Sequence, residues 1–304
     1  MDFNDLYYEE PIYRPPSEGK KSVLITATVG CSFRCTFCYP YKDKKFSIRN
    51  LQEIKLDIQK ARAIYGSRVE RIFLLDGNAF VMKPEDLIEI SKESYRIHPH
   101  LQRVSAYAHA KDINRKSDEE LLEIRKAGLN MVYMGIETGD DNLLQKINKR
   151  TNASELAQAA QKLHQANIIL SGTIILGLAG SDPDASQHHA IDTANLINAM
   201  NPKRSQEWYI SALTLMIPPG TPLETDLRSG SFTPLDHVGV LTELKQFLIH
   251  TSDNLHGCIF RSNHASNYLA LKGILAQDKQ YLVQSIEKGI ENPLRLRPEF
   301  TRGL

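Results

Sequence analysis

The sequence predicts an α/β protein, a parallel (β/α)6-type partial TIM barrel followed by a C-terminal extension. Two observations carry this expectation. From about Ser22 onward, short apolar runs of strand length alternate with segments whose apolar residues recur at helical spacing, the mark of repeated βα units. The chain is also long enough, at 304 residues with 41% hydrophobic and 24% charged, to bury a large core without disulfide staples. Such a length suggests about two domains, yet single α/β barrels reach it too.

The elements follow in order. The first strand is VLITAT at 23–28. Leu51, Ile54, Ile58, Ala61 and Ile64 share one helical face, and Gly66 stops that helix. Strand two reads RIFLL at 71–75 and runs into Asp76 and Gly77; its helix opens near Pro84, where the missing N–H costs nothing. Strand three spans 103–107. Ser117 and Glu120 then make a capping-box pattern before LLEIRKAG, with Gly128 as the stop. Strand four covers 131–136, followed by helices over 141–147 and 154–165. Strand five covers 168–176, its helix 189–200, and strand six 208–216. Later helices fall near 235–250 and 278–289, with a short strand at 258–260. The boundaries expected are an extension over 1–21, the barrel over 22–225 and a closing segment over 226–304.

Charge and targeting signals exclude several classes. Lys and Arg total 37 against 36 Asp and Glu, so the net charge is +1, which disfavours a dedicated nucleic-acid binder. No apolar run reaches the roughly 18 residues of a membrane span. The start, MDFNDLYYEEPIYRPP, lacks the basic and apolar regions of a signal peptide, so a cytoplasmic location with reduced thiols is expected.

Cys31, Cys35 and Cys38 carry the chemistry, with three and then two residues between them; only Cys258 stands elsewhere. They follow the first strand, at the end of a parallel barrel where active sites are built. Thiolates bind soft metals and iron–sulfur clusters, and a cluster takes four ligands, so three cysteines leave one iron open to another molecule. A zinc site completed by His109 or Cys258 is the competing reading, but no second spaced Cys or His pair is present.

The loop CSFRCTFC at 31–38, with aromatic Phe37 before the third cysteine, resembles the signature of the radical S-adenosylmethionine (SAM) superfamily. The resemblance runs through Gly220 and is closest to the branch of oxygen-independent coproporphyrinogen oxidases. It implies a [4Fe–4S] cluster on the three cysteines, and SAM chelated to the open iron. One-electron cleavage then gives a 5′-deoxyadenosyl radical that abstracts hydrogen from substrate. It further implies a turn at Asp76, Gly77 and Asn78 holding the methionine amino group. Glu137 and Thr138 lie in a segment whose glutamate position contacts the ribose or methionine part, and the Lys149 position lies near the methionine carboxylate. Arg is frequent at that position, so the neighbouring Arg150 is an alternative. A barrel-end ion pair is the other reading of Glu137. Thr173 and Tyr107 stand where the branch has acids, a departure that weakens the assignment to the branch. The turn PPGTPL at 218–223 recurs in these barrels and needs no ligand.

Beyond strand six, CIFRSNHASNY at 258–268 is dense in hydrogen-bonding groups. Arg261, Asn263 and Tyr268 are the substrate-binding candidates, and His264 with Tyr107 the catalytic ones, imidazole titrating near neutral pH. A polar loop with a satisfied histidine is the alternative. Cys258 reads as a small buried hydrophobe, and the closing RLRPEFTRGL as a solvated tail. The expected partners are a small-molecule substrate and a reductant such as flavodoxin or ferredoxin, with no membrane. The alternatives are a non-catalytic [4Fe–4S] electron-transfer or sensor protein, an RNA-modifying radical SAM enzyme, and a zinc-stabilised module.

Overall fold

The computed structural model describes residues 6–19 and 22–303. Of the expected N-terminal extension, residues 1–5 and 20–21 lie outside the described ones, as does Leu304 of the tail. The described residues fall into two compact units.

The first unit takes in residues up to 34, then 40–134 and 162–170. It holds α1 (Pro16–Gly19), β1 (Val23–Thr26), β2 (Thr28–Val29), β3 (Ser47–Ile48), α2 (Leu51–Tyr65), β4 (Arg71–Leu75), α3 (Pro84–Ile97), β5 (Arg103–Ala108), α4 (Ala110–Asn114), α5 (Asp118–Ala127) and the first part of β6 (Leu129–Glu137). Strands β1, β4, β5 and β6 pair in that order, all parallel. Parallel strands covered on both faces read as unbroken apolar runs, and Ile72, Phe73 and Leu74 of β4 are fully buried. The helix ends are written locally. The Asn50 side chain accepts from the Gln52 N–H at the start of α2, and both halves of the Ser117–Glu120 box are formed at the start of α5. Gly128 ends α5 with φ of 112°, and a Cβ there would stand 2.0 Å from the Tyr95 ring, so only glycine fits.

The second unit takes in residues 35–39, 135–161 and 171 onward. It holds the end of β6, α6 (Asp141–Lys146), most of α7 (Ala153–Gln165), β7 (Ile169–Leu176) from Ser171, α8 (Pro183–Ala199), β8 (Trp208–Thr214), α9 (Pro222–Ser229), α10 (His237–His250), β9 (Cys258–Arg261), β10 (Lys272–Ile274) and α11 (Leu275–Glu291). β8 is parallel to both β7 and β9, and β10 closes antiparallel on β9.

The fold class is the expected one, a mostly parallel α/β sheet, and six strands stand where the sequence puts them. Three differences have local causes. Strand one ends at Thr26, because Thr28 and Val29 leave it to pair antiparallel with Ser47 and Ile48. Helix α8 begins at Pro183, capped by the Asp182 side chain on the Ala185 N–H, well before His189; its first turns carry little apolar signal. The turn at 218–223 opens into α9, with Thr221 as the cap and Pro222 in the first turn. Among the described residues no helix is long and apolar enough to cross a membrane.

Candidate functional site

The short β2–β3 pair is the stem of the cysteine-bearing segment, residues 30–46. None of the four cysteines is in a disulfide; Cys31, Cys35 and Cys38 are half-buried, and Cys258 is buried. In the first unit the residues after β4 gather against the start of this segment. The Asp76 carboxylate accepts from the Gly30 N–H at 3.1 Å and from Lys44 Nζ at 3.0 Å. Burial raises its pKa, against the lowering pull of Lys44, Gly30 and the Tyr41 hydroxyl. At Gly77 a Cβ would stand 2.8 Å from both the Cys31 Cβ and the Tyr41 ring, so the absent side chain is what lets the two turns meet. Asn78 Nδ2 donates to Asp112 Oδ2 at 2.7 Å, while its Oδ1 is buried without a partner. Phe33, inside the cysteine loop, stacks on His109 with ring centroids 3.6 Å apart. Tyr107 packs edge-on against Phe73 and Tyr133, and burial pushes its hydroxyl pKa strongly upward. A buried phenol of that kind donates a hydrogen bond more readily than it ionises.

In the second unit, Thr36 donates its N–H to the Ile147 carbonyl at 3.0 Å and accepts from the Leu223 N–H at 3.1 Å. Phe37 packs on the apolar cluster of Leu143, Ile147, Ile175 and Leu178, which fixes the ring before the third cysteine. Glu137, with φ of 67°, accepts from Lys149 Nζ at 2.6 Å, both side chains being buried. Arg150, the alternative cation, is exposed. Thr173 is half-buried on β7, in register with Ser211 of β8.

Thr138 belongs to a network the sequence did not reveal. Its hydroxyl lies 2.7 Å from His189 Nδ1, and His189 Nε2 lies 3.1 Å from the Ile175 carbonyl. Because a carbonyl only accepts, Nε2 carries a proton, and in the neutral ring Nδ1 accepts from Thr138. Glu243, fully buried on α10, accepts from the Gly177 N–H at 2.6 Å and from the Ser186 hydroxyl. The turns after β6 and β7 are thus tied to α8 and α10 by polar groups of which only Thr138 was a candidate. Glu243 lies more than fifty residues from its partners, so no local pattern marks it.

The C-terminal segment corrects one expectation. The closing residues are not a wholly free tail: most are exposed, but two of their three arginines, Arg297 and Arg302, dock on the 264–268 loop. Arg297 Nη1 donates to the carbonyls of His264, Ala265 and Asn267 at 2.9, 2.7 and 3.1 Å. Arg302 Nε donates to the Ser266 carbonyl at 2.7 Å, and its guanidinium covers the Tyr268 ring at 3.9 Å. The Tyr268 hydroxyl donates to Glu299 at 2.8 Å, so within this loop Tyr268 is engaged by the tail. His264 Nδ1 accepts from the Ser266 N–H at 3.1 Å, and burial, aided by Arg297, lowers its pKa. Arg261 lies over the Tyr209 ring at 4.7 Å, and Asn263 is exposed.

A mostly parallel α/β protein whose first strand is followed by a three-cysteine loop defines a class. Residues 25–192 match the radical SAM superfamily, more than half of the chain. The chain belongs to that superfamily. It is 27% identical over 180 residues to the anaerobic magnesium-protoporphyrin IX monomethyl ester cyclase of Cereibacter sphaeroides, covering 58% of this chain and 28% of that protein. The cyclase of Rubrivivax gelatinosus is 26% identical, with 58% and 31% covered. The chain thus spans under a third of the curated relatives it matches. Methylornithine synthase superposes with a TM-score of 0.53 at 16% identity, over 87% of this chain and 68% of that one. A radical SAM methyltransferase of Kitasatospora setae gives 0.51 at 16% identity, over 69% and 39%. At such identities the likeness is one of fold, the partial TIM barrel of radical SAM proteins.

The residues present fit the cofactors this family implies. The donors are three thiols on one loop, and the absent side chain of Gly77 lets the backbone of the 76–78 turn lie directly against Cys31. Among the described residues no three His, Cys, Asp or Glu side chains converge as ligands of a single ion. The three thiolates of a cluster bind separate irons and have no need to converge on one point.

Proposed function

We propose that this protein binds a [4Fe–4S] cluster through Cys31, Cys35 and Cys38 and uses it with SAM to abstract hydrogen from a small-molecule substrate. The observation that carries the reading is the three-cysteine loop after β1, set against a turn whose central glycine touches Cys31. Bound together, cluster and SAM supply a 5′-deoxyadenosyl radical by one-electron cleavage of the sulfonium.

The chain's own residues bind and orient. Three thiolates leave one iron for the amino and carboxylate groups of methionine. The backbone of Asp76, Gly77 and Asn78 offers carbonyls to the amino group, and the partnerless Asn78 Oδ1 is a further acceptor. Lys149, held by Glu137, is the cation for the carboxylate, and Thr138, just past the end of β6, and Thr173, on β7, are assigned to the nucleoside. Arg261, Asn263 and His264 are assigned to substrate. His264, neutral at pH 7 with Nδ1 occupied, presents an Nε2–H donor. A low-potential donor such as flavodoxin or ferredoxin supplies the electron, and a reducing compartment such as the cytoplasm keeps the thiols available.

Anaerobic reconstitution with iron and sulfide, then dithionite and SAM, should release 5′-deoxyadenosine in amounts that depend on all three cysteines. A cluster that never binds SAM would favour an electron-transfer or sensor protein instead. Stoichiometric zinc with no cluster formed would overturn the reading.

A further inference from the structure

We propose that Asp76 and Lys44 form a clasp that closes the base of the cysteine loop, making Asp76 a positioning residue that acts through Gly30, Tyr41 and Lys44. The inference rests on the cluster reading for its consequence, and on geometry within the first unit for its existence.

Gly30 stands immediately before Cys31, and Lys44 lies six residues beyond Cys38. The two stems touch: a Cβ on Gly30, whose φ is +66°, would meet the Lys44 carbonyl oxygen at 3.0 Å. A single carboxylate joins them, accepting from the Gly30 N–H at 3.1 Å and the Lys44 ammonium at 3.0 Å. The Tyr41 hydroxyl donates to the same carboxylate, and the Asp76 N–H donates to Thr28 Oγ1 at 3.2 Å. Asp76 thus grips the segment before the first cysteine and at two points after the third. Both charged side chains are 6% exposed, which puts the pair where solvent competes little.

The lysine is fully committed. An ammonium has three donors, and Lys44 Nζ uses them on Asp76, the Glu9 carbonyl at 2.7 Å and the Pro11 carbonyl at 2.9 Å. The N-terminal segment is therefore the clasp's third member, itself held by Thr26 Oγ1 donating to the Tyr7 carbonyl and the Tyr8 hydroxyl donating to the Leu24 carbonyl. A short loop that must present thiols at fixed spacing gains from a closed base, since rotamer and backbone freedom there would be lost again on binding the cluster.

The test uses the full chain with K44M, D76N and the paired K44M/D76L variant, in which no buried charge is left unpaired. In cluster-free protein, trypsin cleavage after Arg34 and Lys42 should speed by at least ~10-fold in each, because the loop opens more often. After reconstitution, iron loss to a chelator should speed by a similar factor, including in the paired variant whose melting temperature stays near that of the parent. Cleavage and iron loss at parental rates in folded variants would overturn the clasp. If the parent holds no cluster at all, the cluster reading fails, and the cleavage rates alone decide whether the clasp exists.

Discussion

Lys149 Nζ and Glu137 Oε1 stand 2.6 Å apart with 7% and 9% of their side chains exposed, and Gly135 is the residue that makes room for them. A Cβ on Gly135 would lie 2.1 Å from that oxygen and 2.7 Å from that nitrogen. Gly135→Ala should therefore displace the pair rather than merely stiffen the strand.

Breaking the pair from one side is predicted to be worse than removing both partners. Lys149→Met strands a buried carboxylate and should cost roughly 3–5 kcal/mol, whereas the double change Glu137→Met/Lys149→Met should recover most of that. Denaturant unfolding of the cluster-free protein measures both. A double mutant as unstable as the sum of its singles would mean the two groups do not interact.

The Arg297 contacts make a second prediction. Replacing Arg297 with Ala removes a guanidinium that bridges three carbonyls of the 264–268 loop and should cost about 1.5–3 kcal/mol. It also removes one of the two causes that lower the His264 pKa, so the His264 titration followed by NMR should move upward, burial still holding it below the ordinary value. The folded pKa is depressed, so the stability His264 contributes is present above the unfolded value near 6.5 and is lost as pH falls through the folded pKa. That acid-side loss should shrink in the variant. An unchanged titration would separate Arg297 from His264.

How much of this was legible in the sequence depended on range. RIFLL at 71–75 and the Ser117–Glu120 box declare themselves because strand and cap are local. The start of α8 was hidden, since DASQHH carries no apolar period and only Asp182-Pro183 marks it. The three cysteines were visible because their spacing is the signal. Lys44 was not, because a lysine in the run KDKK reads as a solvated charge until Asp76, more than thirty residues away, is seen to bind it. Glu243 and His189 were invisible for the same reason, their meaning lying in partners from other elements.

Lys116 is predicted to make the protein's stability rise with alkali. Its ammonium is buried, donating to the Phe80 carbonyl at 2.7 Å, and desolvation lowers its pKa to about 8. The unfolded chain holds that proton up to about 10.4 and so binds more protons than the fold between the two values. Stability should therefore climb across this window, by on the order of 1–3 kcal/mol. The difference between parent and Lys116→Met isolates the lysine from every other group. Anaerobic melts of cluster-free protein from pH 7 to 10 should show a parent-minus-variant difference that grows with pH, and a flat difference would refute the assignment.

Cys258 is predicted to be chemically silent. It opens β9 in register with Trp208 of β8, wholly buried, and burial raises its thiol pKa well above the ordinary value. The thiolate is the reactive form, so iodoacetamide under native anaerobic conditions should label Cys31, Cys35 and Cys38 in cluster-free protein and leave Cys258 until denaturant is added. Cys258→Ala removes one buried sulfur and should cost about 1 kcal/mol, with the iron bound per chain unchanged. The two measurements bear on different properties. Native labelling of Cys258 would contradict its burial, whereas a drop in iron in a folded Cys258→Ala protein would make it a contributor to the cluster site and reduce the case for an iron left open to SAM.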